Sequence, residues 1–214
     1  MLRFFFLTHK LNARSKFVRM KTIIIFAITP FSFFNCTAQN FQWVPVGDGF
    51  DTDVRTLCAD SATNLLYAGG SFSNSGTVHV QNIAAWDGTT WDSLDHGGDG
   101  NNVLTMQLYN NNLVVSGPFI QMGGDTMNYI AQWNGTSWNQ FCDEGANETM
   151  YMLRTIVDTL YGVGVFDTIC GVGIAGIAKY YNNLWIPYPP IPGINSEPSF
   201  FCINKYNDEL YRRG

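Results

Sequence analysis

The residues of this chain that could do chemistry begin with a glycine-rich stretch. Residues 171–176 read Gly-Val-Gly-Ile-Ala-Gly, which has the spacing of the G-x-G-x-x-G dinucleotide fingerprint. That fingerprint needs a strand before it and a helix that opens on the pyrophosphate after it. Residues 177–180, which follow, have the composition of a strand and not of a helix. We therefore predict no cofactor and no cofactor-binding residue.

Two oxygen-rich turns are the candidates for a metal site. Asp51-Thr52-Asp53 and residues 95–102 hold carboxylates and amides, which are groups that Ca²⁺ takes as ligands. Neither turn matches the D-x-D-x-D-G calcium loop with its distant glutamate. Polar turns between strands are by default solvated loops. The sequence therefore predicts no metal ligand in these turns.

The remaining reactive side chains do not form a catalytic pattern. His79 and His96 have no second histidine at ligand spacing, and no two cysteines lie two to four residues apart, which argues against zinc. Asp143 and Glu144 are adjacent, so on a strand they would point apart and could not act as an acid–base pair. We predict no catalytic residue in this portion of the chain.

These residues are positioned by a sequence repeat. The segment 86–91, Trp-Asp-Gly-Thr-Thr-Trp, returns at 133–138 and, with more changes, at 180–185. Successive copies are 47 residues apart, and Trp43 lies 48 residues before Trp91. A fixed period of this length is typical of a solenoid, a propeller or an array.

Each copy of the repeat has the composition of strands and turns. Four short segments rich in Val, Ile, Leu, Tyr and Trp are separated by Gly, Asn, Asp and Ser. No segment keeps apolar residues at helical spacing over the ten or so residues that a helix needs. Two further sets of segments match at the same period: 66–72, 113–119 and 160–166, and 82–86, 129–133 and 176–180.

The repeated hexapeptide predicts the hairpin that joins the third and fourth strands. Asp87-Gly88, Asn134-Gly135 and Asn182-Asn183 occupy its centre in the three copies. These residue types tolerate positive φ, which a tight hairpin turn requires. The flanking aromatic residues provide the largest apolar surface of each copy.

The predicted fold is all-β. Units of four antiparallel strands and 40–50 residues are the size of β-propeller blades, which must stack because one blade cannot bury both faces. We expect an incomplete propeller of about three and a half blades, part of a longer protein. Its predicted parts are a lone outer strand at 41–46 and blades at about 53–94, 101–141, 149–188 and, truncated, 199–214. The alternative is an open, curved β array with an exposed edge.

The repeat resembles known propeller families. Residues 66–70, 82–87 and 91–94 are similar to the second, third and fourth strands of Kelch repeats. The run from Tyr67 to Trp91 is more similar still to secreted propeller repeats of bacterial surface proteins and of the fungal cortical cell-polarity marker. The resemblance covers nearly all of residues 41–214 and implies a surface-exposed propeller.

The amino-terminal residues predict export. Lys21, an apolar run at 22–34 and the small-residue site formed by Cys36 and Ala38 are typical of a secretory signal peptide, which places the signal region at 1–39. A signal anchor and a lipoprotein cysteine are the alternatives.

The apolar run is too short to remain in a membrane. It falls below the roughly 20 residues that cross a bilayer and is interrupted by Pro30, so no membrane insertion is expected after cleavage. Residues 1–19 do not fit the signal pattern, and we expect the true start to be Met20. A precursor that begins at Met1 would contradict this.

The charge of the mature chain excludes two partner classes. Residues 1–39 hold six of the twelve basic residues and none of the seventeen acidic ones, so their removal changes the net charge from −5 to −11. A basic-poor surface argues against nucleic acid, whose phosphates are neutralised by Lys and Arg. It argues equally against an anionic membrane surface.

Four cysteines remain after residue 39, and four cysteines allow three connectivities. Cys58 and Cys202 fall in the same first-strand position of different copies, which favours two buried small residues. In a propeller, the loops that carry Cys142 and Cys170 emerge on one face. We therefore predict a Cys142–Cys170 disulfide in an oxidising compartment.

These features favour a secreted or cell-surface propeller module that binds or adheres to a protein or glycan, without catalysis in this portion. Three loops that do not repeat, 74–81, 122–128 and 168–176, form the predicted recognition surface. Two other classes stay open. The chain could belong to a propeller enzyme, a carbohydrate-active hydrolase, lyase or oxidase with its active site on other blades, or it could be a purely structural envelope repeat.

Overall fold

The structure is a computed structural model, and it describes residues 45–188 together with the strands Cys202–Tyr206 and Glu209–Arg213. The predicted signal region 1–39 and most of the predicted lone strand 41–46 lie outside the described residues. Every regular element in the described part of the chain is a β-strand.

The first copy of the repeat folds as six strands. Four of them form an antiparallel sheet, sheet 1, in the order β1-β2-β5-β6, and β3 pairs with β4 as a separate two-stranded hairpin. The strands are β1 (Val54–Asp60), β2 (Leu65–Gly70), β3 (Asn74–Ser75), β4 (Val78–His79), β5 (Ile83–Trp86) and β6 (Trp91–Ser93).

The second and third copies repeat this plan as sheet 2 (β7-β8-β11-β12) and sheet 3 (β13-β14-β17-β18), with the hairpins β9–β10 and β15–β16. The strands of sheet 2 and its hairpin are β7 (Thr105–Tyr109), β8 (Asn112–Ser116), β9 (Gln121–Met122), β10 (Asp125–Thr126), β11 (Ile130–Trp133) and β12 (Trp138–Gln140). Those of sheet 3 are β13 (Met150–Ile156), β14 (Thr159–Gly164), β15 (Thr168–Ile169), β16 (Val172–Gly173), β17 (Ile177–Tyr181) and β18 (Leu184–Pro187). Two further strands, β19 (Cys202–Tyr206) and β20 (Glu209–Arg213), pair with each other.

The core lies between the sheets, because each sheet has apolar side chains on both faces. Tyr67 and Ile83 of sheet 1 share one buried cluster with Met106, Leu113 and Trp138 of sheet 2. A second cluster joins sheets 2 and 3 in the same way. Burying an aliphatic side chain of this size stabilises a fold by about 1.5–3 kcal/mol. The stacking of neighbours therefore provides the stability that a single sheet of short strands lacks.

The first strands of the sheets pack side by side, with β7 between β1 and β13. The Leu153 N–H donates to Thr105 Oγ1 at 2.9 Å, and the Thr155 hydroxyl donates to the Leu108 carbonyl at 3.2 Å. β19 also lies next to β13. The sheets thus converge along their first strands.

A glycine stands at or just after the end of the second strand of each sheet for a steric reason. A Cβ atom at Gly70, Gly117 or Gly164 would overlap a backbone carbonyl oxygen of the segment that leads into the first strand of the same sheet. At Gly117 that oxygen belongs to Asn102. Two residues further on, Phe72, Phe119 and Phe166 are at most 1% exposed. In the repeated Gly-x-Phe, the glycine therefore allows two backbone segments to come close, and the phenylalanine is buried in the core.

The turn between the third and fourth strands differs from the predicted tight turn in the first two copies. Trp86 pairs directly with Trp91, so the loop has four residues, and Asp87 does not take a positive φ. Its Oδ1 atom instead accepts hydrogen bonds from the N–H groups of Thr89 at 2.7 Å and Thr90 at 2.9 Å. A side-chain acceptor of this kind holds a longer loop without left-handed residues at both centres.

Among the three sheets described in full, the third has the two-residue turn that the hexapeptide predicts. Tyr181 pairs with Leu184, and the two residues between them, Asn182 and Asn183, have φ values of 50° and 61°. Positive φ at both central residues is what a two-residue hairpin requires.

The register also corrects the predicted placement of two cysteines. Cys58 pairs with Tyr67, whose counterpart Tyr211 pairs with Asn204. Cys202 therefore lies two residues earlier in its strand than Cys58 does. Cys58 is half-buried beside β7 with a free thiol, and burial is the main reason that its pKa is raised.

The glycine constraint can be tested with a matched pair. We expect Gly117→Ala to lower the free energy of unfolding by about 1–3 kcal/mol, because the new methyl group meets a backbone carbonyl that cannot move away freely. Gly173→Ala is the control, since its Cβ would meet no atom within 4 Å. Urea denaturation of the two variants measures the difference. Equal stabilities would contradict the steric account.

Candidate functional site

The three predicted recognition loops, 74–81, 122–128 and 168–176, occupy equivalent places in the three sheets. Each contains one of the hairpins β3–β4, β9–β10 and β15–β16, between the second and third strands of its sheet. We call these three hairpins the hairpin face. Because the strands are antiparallel, this face lies at the opposite end of each sheet from the turn between its first two strands.

Each hairpin has a buried side and an exposed side. Ser75, Met122 and Ile169 occupy the same inward position and are at most 4% exposed. The exposed second strands differ in sequence, with Val78–His79 in the first hairpin, Asp125–Thr126 in the second and Val172–Gly173 in the third. The hairpins therefore share one frame and present three different surfaces.

A side-chain clamp at a fixed position holds the start of each hairpin. Asp51 accepts from the Ser73 N–H at 2.9 Å, and Asp99 accepts from the Ile120 N–H at 2.9 Å. In sheet 3 the clamp is Asn147, whose Oδ1 accepts from the N–H groups of two consecutive residues, 167 and 168, at 3.1 and 3.0 Å. The clamp works with either Asp or Asn, because it needs a side-chain oxygen and not a charge.

The pKa values of the two clamp carboxyls reflect these bonds. The backbone N–H groups of Ser73 and Asn74 hold the pKa of Asp51 below its usual value. Partial burial pushes the pKa of Asp99 upward, but the N–H groups of Ile120 and Asn101 outweigh that effect and the net shift is downward. Both acids lie in the turns that were weighed as calcium sites, and their carboxylate oxygens are used to hold the chain.

Each of the second and third hairpins is also tied to the loop that arrives from the preceding sheet. Gly98 forms a β-bridge with Met122, and Ala146 forms one with Ile169. The Gly123 N–H donates to the carbonyl of residue 97 at 2.8 Å. Backbone bonds from two directions leave these hairpins little freedom to move.

A disulfide adds a covalent tie to the third hairpin. Cys142, in the loop that leaves sheet 2, is bonded to Cys170 at the tip of the β15–β16 hairpin, with their Cα atoms 5.5 Å apart. The Cys170 N–H donates to the Gly145 carbonyl at 2.7 Å, so the backbone is bonded at the same place. The tie spans the junction of two sheets.

The dinucleotide fingerprint at 171–176 does not form a nucleotide site. Val172 and Gly173 are β16, and Ile177 begins β17, so the motif is a hairpin followed by a strand. The Gly176 N–H donates to the carbonyl of Phe166 at 2.9 Å. A pyrophosphate would need that N–H and others beside it at the start of a helix.

The other candidate side chains lie apart from one another. His79 Nδ1 is 3.2 Å from Asn74 Oδ1, and the exposed His96 pairs with Asp95 at 2.9 Å. Asp143 and its neighbour are exposed in the loop between sheets 2 and 3. Within the described residues, no three His, Cys, Asp or Glu side chains come together as a metal-binding group.

Two concave sites were not singled out from the sequence. One is a small cleft beside Trp86, between the β3–β4 hairpin and the β5–β6 loop. The other is an open groove of about 1070 Å³ where the first turns of the three sheets meet, lined among others by Asp60, Tyr109 and Asp158. Ser75, which lines the cleft, stands where the other copies have methionine and isoleucine. A small residue at this position of the repeat could have indicated the cleft from the sequence.

No protein-family model matches this chain, and no curated protein sequence is significantly similar to it. In the part of the chain that the structure describes, no helix is long and apolar enough to cross a membrane. The functional assignment therefore rests on the geometry of the hairpin face.

The loop beside the cleft gives a test of the electrostatics. The Thr89 hydroxyl and the backbone N–H groups of Thr90 and Thr89 lower the pKa of Asp87 to about 2. A depressed pKa stabilises the fold above the unfolded-state value near 4 and loses that contribution as the pH falls through about 2. Carboxyl NMR titration should therefore give Asp87 a midpoint near 2.

Sheet 2 provides the control, because Asn134 accepts the equivalent N–H bonds from Thr136 and Ser137, each at 2.9 Å. We expect Asp87→Asn to keep the loop and to reduce the loss of stability between pH 4 and pH 2, and Asn134→Asp to increase it. An ordinary Asp midpoint near 4 in the folded protein would contradict the assigned bonds.

Proposed function

We propose that sheets 1–3 are blades of a Kelch-like β-propeller, secreted or displayed at the cell surface, that acts as a binding or adhesion module through the hairpin face. The ligand is a protein or a glycan, and this portion of the chain is non-catalytic. The observation that carries the binding role is the hairpin face itself, with a repeated frame and three different exposed surfaces.

The exposure of one repeated position supports the propeller. Leu57, Met106 and Leu153 pair with equivalent residues of their neighbouring strands, so they occupy the same place in the three sheets. Met106 and Leu153 are 5% and 4% exposed because a preceding sheet covers them, whereas Leu57 is 59% exposed. In a closed ring another blade would cover Leu57. Burying an aliphatic side chain stabilises a fold by about 1.5–3 kcal/mol, and Leu57 does not contribute this while it is exposed.

Convergence of the first strands supports the same arrangement. β1, β7 and β13 pack side by side, as inner strands do around the axis of a propeller. β19 packs on β13 as the inner strand of a fourth blade would.

The Cys142–Cys170 bond supports an extracellular location, because disulfides persist in oxidising compartments. The predicted signal peptide and the acidic mature chain favour the same location. Peptide mapping of the purified native protein checks this step. Recovery of both peptides with free thiols would argue against it.

The binding role can be tested by changing the exposed tips while the frame is kept. We expect the mature chain to bind at least one member of an array of glycans and secreted proteins. The double variant Val78→Ser with Val172→Ser should then weaken that binding about tenfold, the loss expected for contacts worth about 1.4 kcal/mol.

Val157→Ser is the matched control. Val157 is 75% exposed at the β13–β14 turn, at the end of sheet 3 away from the hairpin face. Its substitution should leave binding unchanged. Equal effects of the two variants, or no binding to any member of the array, would refute the proposed role.

A further inference from the structure

The cleft beside Trp86 lies on the first hairpin of the hairpin face. Its walls are Asp48 from the segment before β1, Ser75 from β3, and Thr89 and Thr90 from the β5–β6 loop, and Trp86 forms one side. The cleft thus joins three separate parts of the chain around one indole ring.

The Trp86 indole is partly exposed, and this is not simply because no described sheet precedes sheet 1. Trp86 leans on the buried Trp91, with ring centroids 5.5 Å apart at 48°. Trp133 leans on Trp138 in nearly the same way, at 5.3 Å and 52°, and it too is only partly buried although a complete sheet precedes it. The fold therefore leaves the first aromatic residue of this pair open in stacked sheets as well.

The small side chain of Ser75 keeps the space beside this ring open. The equivalent residues in the other two copies, Met122 and Ile169, are larger and fully buried. Gly76, next along the chain, lets a carboxylate come close, because a Cβ atom there would overlap Asp48 Oδ2. A carboxylate also lies next to Gly123 and Gly171 in the other copies, so the small Ser75 side chain is what distinguishes the first copy at this place.

Three of the four polar side chains of the cleft form no hydrogen bond with the described residues. Ser75 is 4% exposed, and its hydroxyl forms no hydrogen bond with the described residues. The Asp48 carboxylate and the Thr90 hydroxyl likewise form none in that part of the chain. The Thr89 hydroxyl donates to Asp87 at 2.7 Å and so can still accept. The residue Ser75 is buried, and a buried hydroxyl normally has a partner, while Asp48 and Thr90 are exposed, so a polar ligand or water is expected here.

We propose that this cleft binds a neutral pyranose unit of a glycan. An apolar ring face would lie on the Trp86 indole, and its hydroxyl groups would bond to Asp48, Ser75 and Thr90. These side chains provide both donors and acceptors, as alternating sugar hydroxyls require. The carboxylate disfavours acidic sugars, and a single partly exposed ring lacks the enclosing aromatic faces with which proteins bind quaternary ammonium groups.

This inference rests on the proposed binding function and names the ligand class of the first hairpin. The probes are methyl glycosides of glucose, galactose, mannose and N-acetylglucosamine, with glucuronate and tetramethylammonium as competitors of other chemistry. Binding to the mature chain is measured by ligand-observed NMR and calorimetry. We expect at least one neutral glycoside to bind and the two competitors not to displace it.

Ser75→Met is the decisive variant, because the methionine found at the same place in sheet 2 should fill the cleft without unfolding the protein. We expect it, and Trp86→Ala, to weaken glycoside binding at least about tenfold. Asp125→Ala, on the second hairpin and outside the cleft, should leave the affinity unchanged.

Three results would overturn the inference, and they are distinguishable from failure of the proposed function. If Ser75→Met leaves glycoside binding unchanged, the sugar binds outside the cleft. Displacement by tetramethylammonium assigns the cleft to an ammonium group. Array binding to proteins alone, with no glycoside bound, refutes the cleft but leaves the binding role intact, whereas silence of the whole array refutes both.

Discussion

A hydrogen bond that recurs in the first two sheets joins the indole of the fourth strand to a backbone carbonyl in the segment that precedes the sheet. Trp138 Nε1 donates to the Leu94 carbonyl at 2.9 Å, and Trp91 Nε1 donates to the Val46 carbonyl at 3.0 Å. Both rings are nearly buried, and the bond made by Trp138 is buried, so water does not readily replace it. The bond ties the fourth strand of a sheet to the segment that precedes that sheet, while the apolar faces of neighbouring sheets fill the space behind it. Trp185 is the exception, since its buried N–H has no partner among the described residues.

Other features of the repeat are fixed within each copy. The glycine near the end of each second strand touches the backbone that leads into the first strand of its own sheet, and the clamp residues Asp51, Asp99 and Asn147 hold the start of the hairpin in their own copy. The hairpins then have buried sides that must be alike and exposed sides that are free to differ. A binding surface with several chemistries can form on such a frame without altering its core.

Much of the fold could be predicted from the sequence because the repeat sets side chains in register. The apolar segments, the position of Gly117 and the anchor at Phe119 all follow from the 47-residue period of the chain. The four-residue loop at Asp87 does not follow from the period. Asp and Asn side chains can bond to the backbone of a longer loop, and the same residue types also occur in tight turns, so the sequence does not distinguish the two. The two-residue displacement of Cys202 was missed because strand segments with similar composition do not fix their register.

The site was harder to predict than the fold. The three loops of the hairpin face were identified as non-repeating segments, but their pairing as short hairpins depends on bonds to loops of the preceding sheet, which are distant in sequence. The cleft beside Trp86 depends on a volume difference between Ser75, Met122 and Ile169. Comparison of the copies at that one position would have shown a small residue in place of two large ones, although not that a carboxylate lies next to it.

The indole bond between copies is tested most directly by comparing Trp138→Phe with Trp185→Phe. Both changes remove the same ring area at the same place in the repeat, but only the first removes a hydrogen bond between sheets among the described residues. Denaturant unfolding should show a loss of stability that is greater for Trp138→Phe by about 1 kcal/mol or more. Equal losses, or a greater loss for Trp185→Phe, would contradict the account.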